Sequence, residues 1–253
     1  MTPVLSVIGL GPGDGSHFTE AARDGVAAAK TLFGYGPYLA RLDLRPDQTA
    51  IASDNREELA RAGAALDHAV AHGHAAMVSG GDPGVFAMAA AVCEAMENGP
   101  EAWRSVELRI VPGVTAMLAL AAASGAPLGH DFCAISLSDN LKPWEVVARR
   151  LRLVAEAGLV IALYNPISRA RPWQLGAAFE ILRGVLPAEV PVIFGRAIGR
   201  PDQQILHFDL ADADPHAADM ATCIIIGSPL TRRFAGAGGR QIVYTPRFDR
   251  GAT

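Results

Sequence analysis

Two acidic residues, Asp14 and Asp82, stand inside glycine-rich loops, GLGPGDG (Gly9 to Gly15) and SGGDPGVFAMA (Ser79 to Ala89). Such loops suit close contact with a ligand. Gly80 and Gly81 carry no Cβ, so a ligand can lie against bare peptide, and either can take the positive φ of a sharp turn. A second reading of the later loop fits as well: Asp82 caps a helix, Pro83 takes its first position, and GVFAMAAAVCEAM continues at helical period. Each loop follows an apolar run, LSVIG (Leu5 to Gly9) or AAMV (Ala75 to Val78), that reads as a buried strand. In open α/β sheets ligands bind outside the strand C-termini, so two such loops in one half of the chain predict a shared cleft.

Several chemistries can be tested against the spacing. Gly9, Gly11 and Gly13 resemble part of the dinucleotide fingerprint, but the third glycine comes a residue early and Pro12 interrupts the turn. No acid ends the next strand, TLFGYG (Thr31 to Gly36), to hold a ribose, and no Walker lysine follows the loop. His68 and His72 form an i, i+4 pair, with His74 nearby, the spacing of two zinc ligands on one helix face. Neither a glutamate base nor a distant third ligand accompanies them, so no metal site is expected. Arg41, Arg45, Arg171, Arg196 and Arg247 fall in loops or just past strand ends, as partners for an acidic ligand or as solvated surface charges.

Composition narrows the class. A chain of 253 residues, 50% hydrophobic, can bury one large core or two medium ones, and a usual domain size of roughly 100 to 150 residues favours two. No apolar run reaches the ~18 residues of a membrane span, and no basic, signal-like preamble precedes the first strand, so a soluble cytoplasmic protein is expected. Cys93, Cys133 and Cys223 are widely separated in apolar segments without a C-x-x-C pair, and are expected to be buried, reduced thiols. A net charge of -4 argues against a nucleic-acid partner while leaving an acidic small molecule open.

Strand and helix signals alternate along the chain. LSVIG, a helix near TEAARDGVAAAKT, TLFGY, the helix REELARAGAALDHAVAHG, AAMVSG with its helix, and VELRIVPG with TAMLALAAASG predict a largely parallel sheet. Glycine and proline cluster in GAPLGHD (Gly125 to Asp131), and the domain boundary is placed there, giving domains 1–128 and 129–253. The second half repeats the alternation through FCAISLS, WEVVARRLRLVAEAG, LVIALYN, WQLGAAFEILRGVL, VPVIFGRAIG, ILHFDL, TCIIIG and QIVYTP. Its late strands follow one another closely, which predicts antiparallel or mixed pairing.

GLGPGD, SGGDPGVF, VPGVTAM (Val111 to Met117) and LYNP (Leu163 to Pro166) together resemble, in order, the signature segments of the tetrapyrrole methylases. The resemblance covers the whole chain. Within that family, APLGHDFCAISLSDNLKPWEVVARRL (Ala126 to Leu151), FGYGPYL (Phe33 to Leu39) and the Thr245, Pro246, Arg247 ending resemble the subfamily that methylates carbon-17 of precorrin-3B in cobalamin biosynthesis. The resemblance implies two α/β domains with ligands held between them, a homodimer, S-adenosylmethionine as cofactor, and methyl transfer coupled to ring contraction. Hand-over to neighbouring pathway enzymes is a further expectation.

By the same resemblance Leu10, Gly81, Asp82, Val85, Phe86, Thr115 and Ala116 line the cofactor, with Tyr164, Asn165, Thr245 and Pro246 from the second domain. Thr115 is alternatively a helix cap, and Tyr164 with Asn165 a strand end turning before Pro166. Gly11, Pro12, Gly13, Asp14, Arg41 and Arg171 are the expected substrate residues. Methyl transfer from a sulfonium needs no protein nucleophile or metal, only in-line positioning, worth roughly 7 to 11 kcal/mol. Ring contraction also needs proton transfers, for which Asp14 is the first candidate and Tyr38, His130 and Ser136 follow, with Tyr35, Asp131 and Asp139 behind them. Asp14 can equally be a turn or cap residue, and His130 a histidine satisfied at the domain joint.

The chain departs from the family pattern after Asp14, where Gly15 replaces a common proline and His17-Phe18-Thr19 stands near a common leucine-threonine pair. Thr19 still matches. Two further readings are a relative acting on a cobalt-loaded substrate and a noncatalytic tetrapyrrole carrier. Intact glycine loops argue against the carrier, and the missing ribose acid against a nicotinamide oxidoreductase.

Overall fold

The computed structural model describes residues 2–54, 57–168 and 170–248. The chain forms two compact units, Met1–Ala116 and Met117–Thr253. The division falls earlier than the Gly125–Asp131 break, because that break lies inside the second unit, where Gly125 and Ala126 pair with Val243 and Tyr244.

The first unit is a parallel sheet with helices on both faces. In chain order it contains β1 (Val4–Gly9), α1 (Glu20–Ala28), β2 (Thr31–Tyr35), α2 (Gly36–Leu39), β3 (Thr49–Ser53), α3 (Glu58–His72), β4 (His74–Ser79), α4 (Met88–Asn98) and β5 (Glu107–Val111). Strand order is β3-β2-β4-β1-β5. Period-two alternation divides the side chains between two cores. Leu5, Val7 and Met77 pack with Leu66 and Val92, and Ile8, Ala76 and Val78 pack with Ala22 and Leu39 on the other face. The chain leaves β1 toward β2 on one side and β4 toward β5 on the other, so the direction of winding reverses at the β1–β4 pair.

The second unit contains all but the first residue of α5 (Ala116–Ser124), then β6 (Gly125–Ala126), β7 (Phe132–Ser136), α6 (Trp144–Glu156), β8 (Val160–Tyr164), α7 (Gln174–Arg183), β9 (Pro191–Arg196), β10 (Gln204–Asp209), β11 (Thr222–Ile226), β12 (Arg232–Ala235) and β13 (Gln241–Tyr244). Its main sheet, β10-β9-β11-β8-β7, is mixed. Only β7 and β8 run parallel within it; β9 pairs antiparallel with β10, to which a short connection joins it, and β11 pairs antiparallel with β9 and β8. Phe179, Leu151 and Leu182 from α6 and α7 cover one face over Phe194 and Ile224. Strands β12, β13 and β6 form a separate small sheet.

Two expectations change, and four elements carry too little sequence signal to be read. Helix α4 begins at Met88, not Pro83, because Asp82 turns the chain locally instead of capping a helix: its Oδ1 accepts from the Gly84 N–H at 2.8 Å. Edge strands β3 and β12 carry no clear alternation in sequence; every residue of β12 and most of β3 is exposed. Short β6 and α2 were likewise hidden by their length. Among the cysteines, all free, Cys93 is exposed on α4, whereas Cys223 is buried in β11 and Cys133 partly so.

Desolvation pushes the Cys133 thiol up to about 11 and the Cys223 thiol up to about 12. At pH 8 these groups are thiolate to about one part in a thousand and one in ten thousand, so they should be inert. A disulfide exchange reagent should modify Cys93 rapidly in the native protein and Cys223 only on unfolding. Rapid native labelling of Cys223 would contradict its place in the central strand.

Candidate active site

The two glycine loops meet where the sheet winding reverses. Gly11 and Gly81 form an antiparallel bridge, with Gly11 N–H donating to Gly81 C=O at 3.1 Å and Gly81 N–H to Gly11 C=O at 3.2 Å. A third loop, after β5, joins them. A Cβ on Gly9 would lie 2.7 Å from the Gly81 carbonyl and 2.8 Å from the Gly113 nitrogen, and one on Gly113 would collide with that same carbonyl. Three strand ends therefore touch through backbone alone.

The Asp82 carboxylate ties this junction together. Its Oδ2 accepts the Gly113 N–H at 3.0 Å while Oδ1 holds Gly84. Gly81 itself takes φ +66°, and a Cβ there would meet only Thr115 Cα at 3.8 Å and the Val114 carbonyl at 3.9 Å. Its peptide face is thus open, with Thr115 buried beside it. Arg41 clasps the first loop: Nη2 donates to the Leu10 and Gly11 carbonyls, each at 3.0 Å, and the guanidinium lies 5.6 Å from the Phe18 ring centroid. Tyr38 lies against the second loop, since a Cβ on Gly80 would strike its ring at 2.6 Å.

Beyond the clasp the chain carries Pro12, buried Gly13 and exposed Asp14. Asp14 caps a short turn through Ser16 N–H at 2.9 Å. Hydrogen bonds from Ser16, with smaller help from His17 and Arg41, hold its carboxyl below the usual carboxylate range. The group is therefore ionised throughout the neutral range. Such a carboxylate is a hydrogen-bond acceptor, the state that base work requires. Val85 and Phe86 follow Asp82, and Phe86 is half exposed with φ +52°, a strained value for an aromatic residue.

In the second unit the ends of β7 and β8 are knitted together. Asn165 Nδ2 donates to Ser136 Oγ at 2.9 Å, Ser138 N–H reaches the same oxygen at 3.3 Å, and Leu137 N–H donates to the Tyr164 carbonyl at 2.9 Å. Ser136 is buried and its oxygen accepts twice, the pattern of a structural hydroxyl. Asn165 adopts φ +51°, which asparagine tolerates, and the Tyr164 hydroxyl accepts the Met117 N–H at 3.0 Å, satisfying an orphan donor in the first turn of α5. Thr245, also buried, donates to the Pro127 carbonyl at 2.6 Å and contacts Thr231 Oγ1 at 2.9 Å. With Pro246 and Arg247 it borders a recess of about 430 Å³.

The other candidates have surroundings or partners of their own. His130 and Asp131 precede β7 and border a smaller recess of about 200 Å³ with Gly158 and Leu230, at the end of the strand opposite Ser136. His130 and Ser136 thus stand at opposite ends of β7. Arg45 pairs with Asp47, Arg196 with Asp202 and Asp219, and Arg171 with Asp139, so all three cations already have carboxylate partners. The His68 and His72 ring centroids lie 4.3 Å apart with the rings tilted by 40°, while His74 contacts Ser6; among the described residues no group of three metal-ligating side chains assembles. Sequence reasoning missed Gly113, although a glycine at the end of a third strand was a usable signal.

The pattern of the Tetrapyrrole (Corrin/Porphyrin) Methylases matches residues 4–214. The chain belongs to this family. A Sinorhizobium protein, Precorrin-3B C(17)-methyltransferase, is 67% identical over all of both chains. The Probable cobalt-factor III C(17)-methyltransferase of Salmonella typhimurium is 38% identical, over 90% of this chain and 94% of its own. The crystal structure of the methyltransferase CobJ matches with a TM-score of 0.91 at 47% identity, covering 96% of this chain and all of that one.

The methylase junction should be intolerant of added volume. Gly113→Ala forces backbone apart and should cost about 1 to 3 kcal/mol, lowering the melting temperature by several degrees. Gly15→Ala, where a Cβ meets nothing within 4 Å and no proline follows, should leave melting unchanged. Equal melting of the two variants would remove the packing argument.

Proposed function

We propose that the protein transfers a methyl group from S-adenosylmethionine to carbon-17 of metal-free precorrin-3B, with ring contraction to precorrin-4, in cobalamin biosynthesis. The observation that carries this reading is the full-length 67% identity with the Sinorhizobium enzyme, against 38% with the Salmonella relative named for a cobalt-containing substrate. We propose also that it acts as a homodimer in the cytoplasm and hands its product to neighbouring pathway enzymes. Among the described residues no helix is long and apolar enough to cross a membrane.

When bound, S-adenosylmethionine supplies an activated methyl on a cationic sulfonium. The open peptide face at Gly81, with Thr115 beside it, fits a ligand held mainly by backbone contact. In the first unit Leu10, Gly81, Asp82, Val85, Phe86, Thr115 and Ala116 are the proposed cofactor residues; in the second, Tyr164, Asn165, Thr245 and Pro246. Asp82 acts by holding the loops in register, because both of its oxygens already accept backbone N–H groups. Arg41 likewise fixes the shape of the Gly11-Pro12-Gly13 turn, from which Asp14 projects toward solvent. Ionised Asp14 is the proposed acceptor for a proton of the substrate. Rigid loops of this kind reduce the entropy lost in reaching an in-line geometry.

Mass spectrometry of the tetrapyrrole after incubation with S-adenosylmethionine tests the assignment. A methyl-mass gain on precorrin-3B, with the absorption change of ring contraction, is expected; gain only on the cobalt-loaded substrate would move the protein to that reaction. Asp14→Asn should leave cofactor affinity unchanged and slow product formation by about a hundredfold. Undiminished turnover would remove Asp14 from the mechanism.

A further inference from the structure

The loops after β7 and β8 are locked to each other by a partly buried polar latch. Asp139 Oδ1 accepts from Arg171 Nε at 2.6 Å and from Gln174 Nε2 at 2.9 Å, and Gln174 is only 2% exposed. Arg171 Nη1 also donates to Asn140 Oδ1, and its backbone closes a tight turn with Ser168 through N–H to carbonyl bonds of 3.0 and 3.2 Å. The latch therefore fixes residues distant in sequence, at the base of two loops that both leave the carboxyl ends of parallel strands.

These fixed loops present apolar side chains to water. Leu141 is 99% exposed, and Trp173 is 46% exposed with its ring edge-on to Trp144 at 4.8 Å. Beside Leu141 stands the cation Lys142, whose ammonium donates to the Ser138 carbonyl at 3.0 Å, while Arg171 is paired with Asp139. Exposed Leu141 and Trp173 on two loops joined by this latch, with the Lys142 ammonium on the first, lie at the carboxyl ends of strands, where α/β proteins bind ligands, and suit a flat apolar ring fringed with carboxylates.

We propose that this latched loop pair is a specificity-determining platform for the tetrapyrrole, with Leu141 and Trp173 contacting the macrocycle, Lys142 facing a carboxylate, and Asp139 acting as a positioning residue. The inference rests on the reaction proposed above and assigns part of its substrate site. It gives Arg171 a role through Asp139 in place of direct, unpaired capture of a substrate carboxylate.

Steady-state kinetics with precorrin-3B, alongside calorimetric titration with S-adenosylhomocysteine, tests it on the full chain. Leu141→Ala removes a side chain that supports no packing, so folding should be unaffected. We expect it to raise KM for the tetrapyrrole about tenfold with kcat little changed, the signature of lost uniform binding. Asp139→Asn should do the same, and both variants should bind S-adenosylhomocysteine like wild type. Normal tetrapyrrole KM in both variants, with wild type active, overturns the platform alone. Parallel loss of S-adenosylhomocysteine affinity in Asp139→Asn makes the latch a general structural element and also overturns it. A wild-type protein that binds no tetrapyrrole overturns the platform together with the reaction on which it rests.

Discussion

The contact of three peptide backbones at Gly9, Gly81 and Gly113 is the constraint from which the first unit's site follows. Strands β4, β1 and β5 are neighbours, so their outgoing loops converge, and only residues lacking Cβ let them converge this closely. Packing alone does not set their register. The Asp82 carboxylate does so by accepting N–H groups from two different loops, while Arg41 bonds consecutive carbonyls of the third. Charged hydrogen bonds are stronger than neutral ones, and here they hold a surface whose useful feature is exposed peptide.

This arrangement suits a reaction in which the cofactor brings its own reactivity. No nucleophile needs activation, so the polar side chains near the junction serve geometry. The second unit follows the same principle: Ser136, Asn165 and the Tyr164 hydroxyl bind one another or nearby backbone, and Thr245 fastens β13 to the chain after β6. Asp14 differs in lying exposed at a loop tip, held ionised by Ser16.

Much of the fold was legible because strands such as LSVIG and AAMVS are buried on both faces and each ends in a glycine loop. Mixed pairing in the second half could be read from short spacings between late strands. Strands β3 and β12 escaped because edge strands face water and lose the apolar signal. The site was legible in its glycines and family segments but less so in its charges. Asp82 reads locally as a helix cap, yet its decisive partner is Gly113. Arg171 reads as a free cation, yet Asp139 neutralises it from another loop. Position along one strand likewise separates His130 from Ser136. Side-chain partners set by tertiary contact leave no mark on local spacing.

The claim that the Gly9–Gly81–Gly113 junction is a preformed cofactor cradle is tested most directly by a crystal structure of the protein with S-adenosylhomocysteine. The account predicts the ligand against the Gly81 and Thr115 peptides, with the Asp82 contacts to Gly84 and Gly113 unchanged. Ligand bound away from these peptides, or an Asp82 carboxylate turned from Gly113 to meet it, would contradict the account.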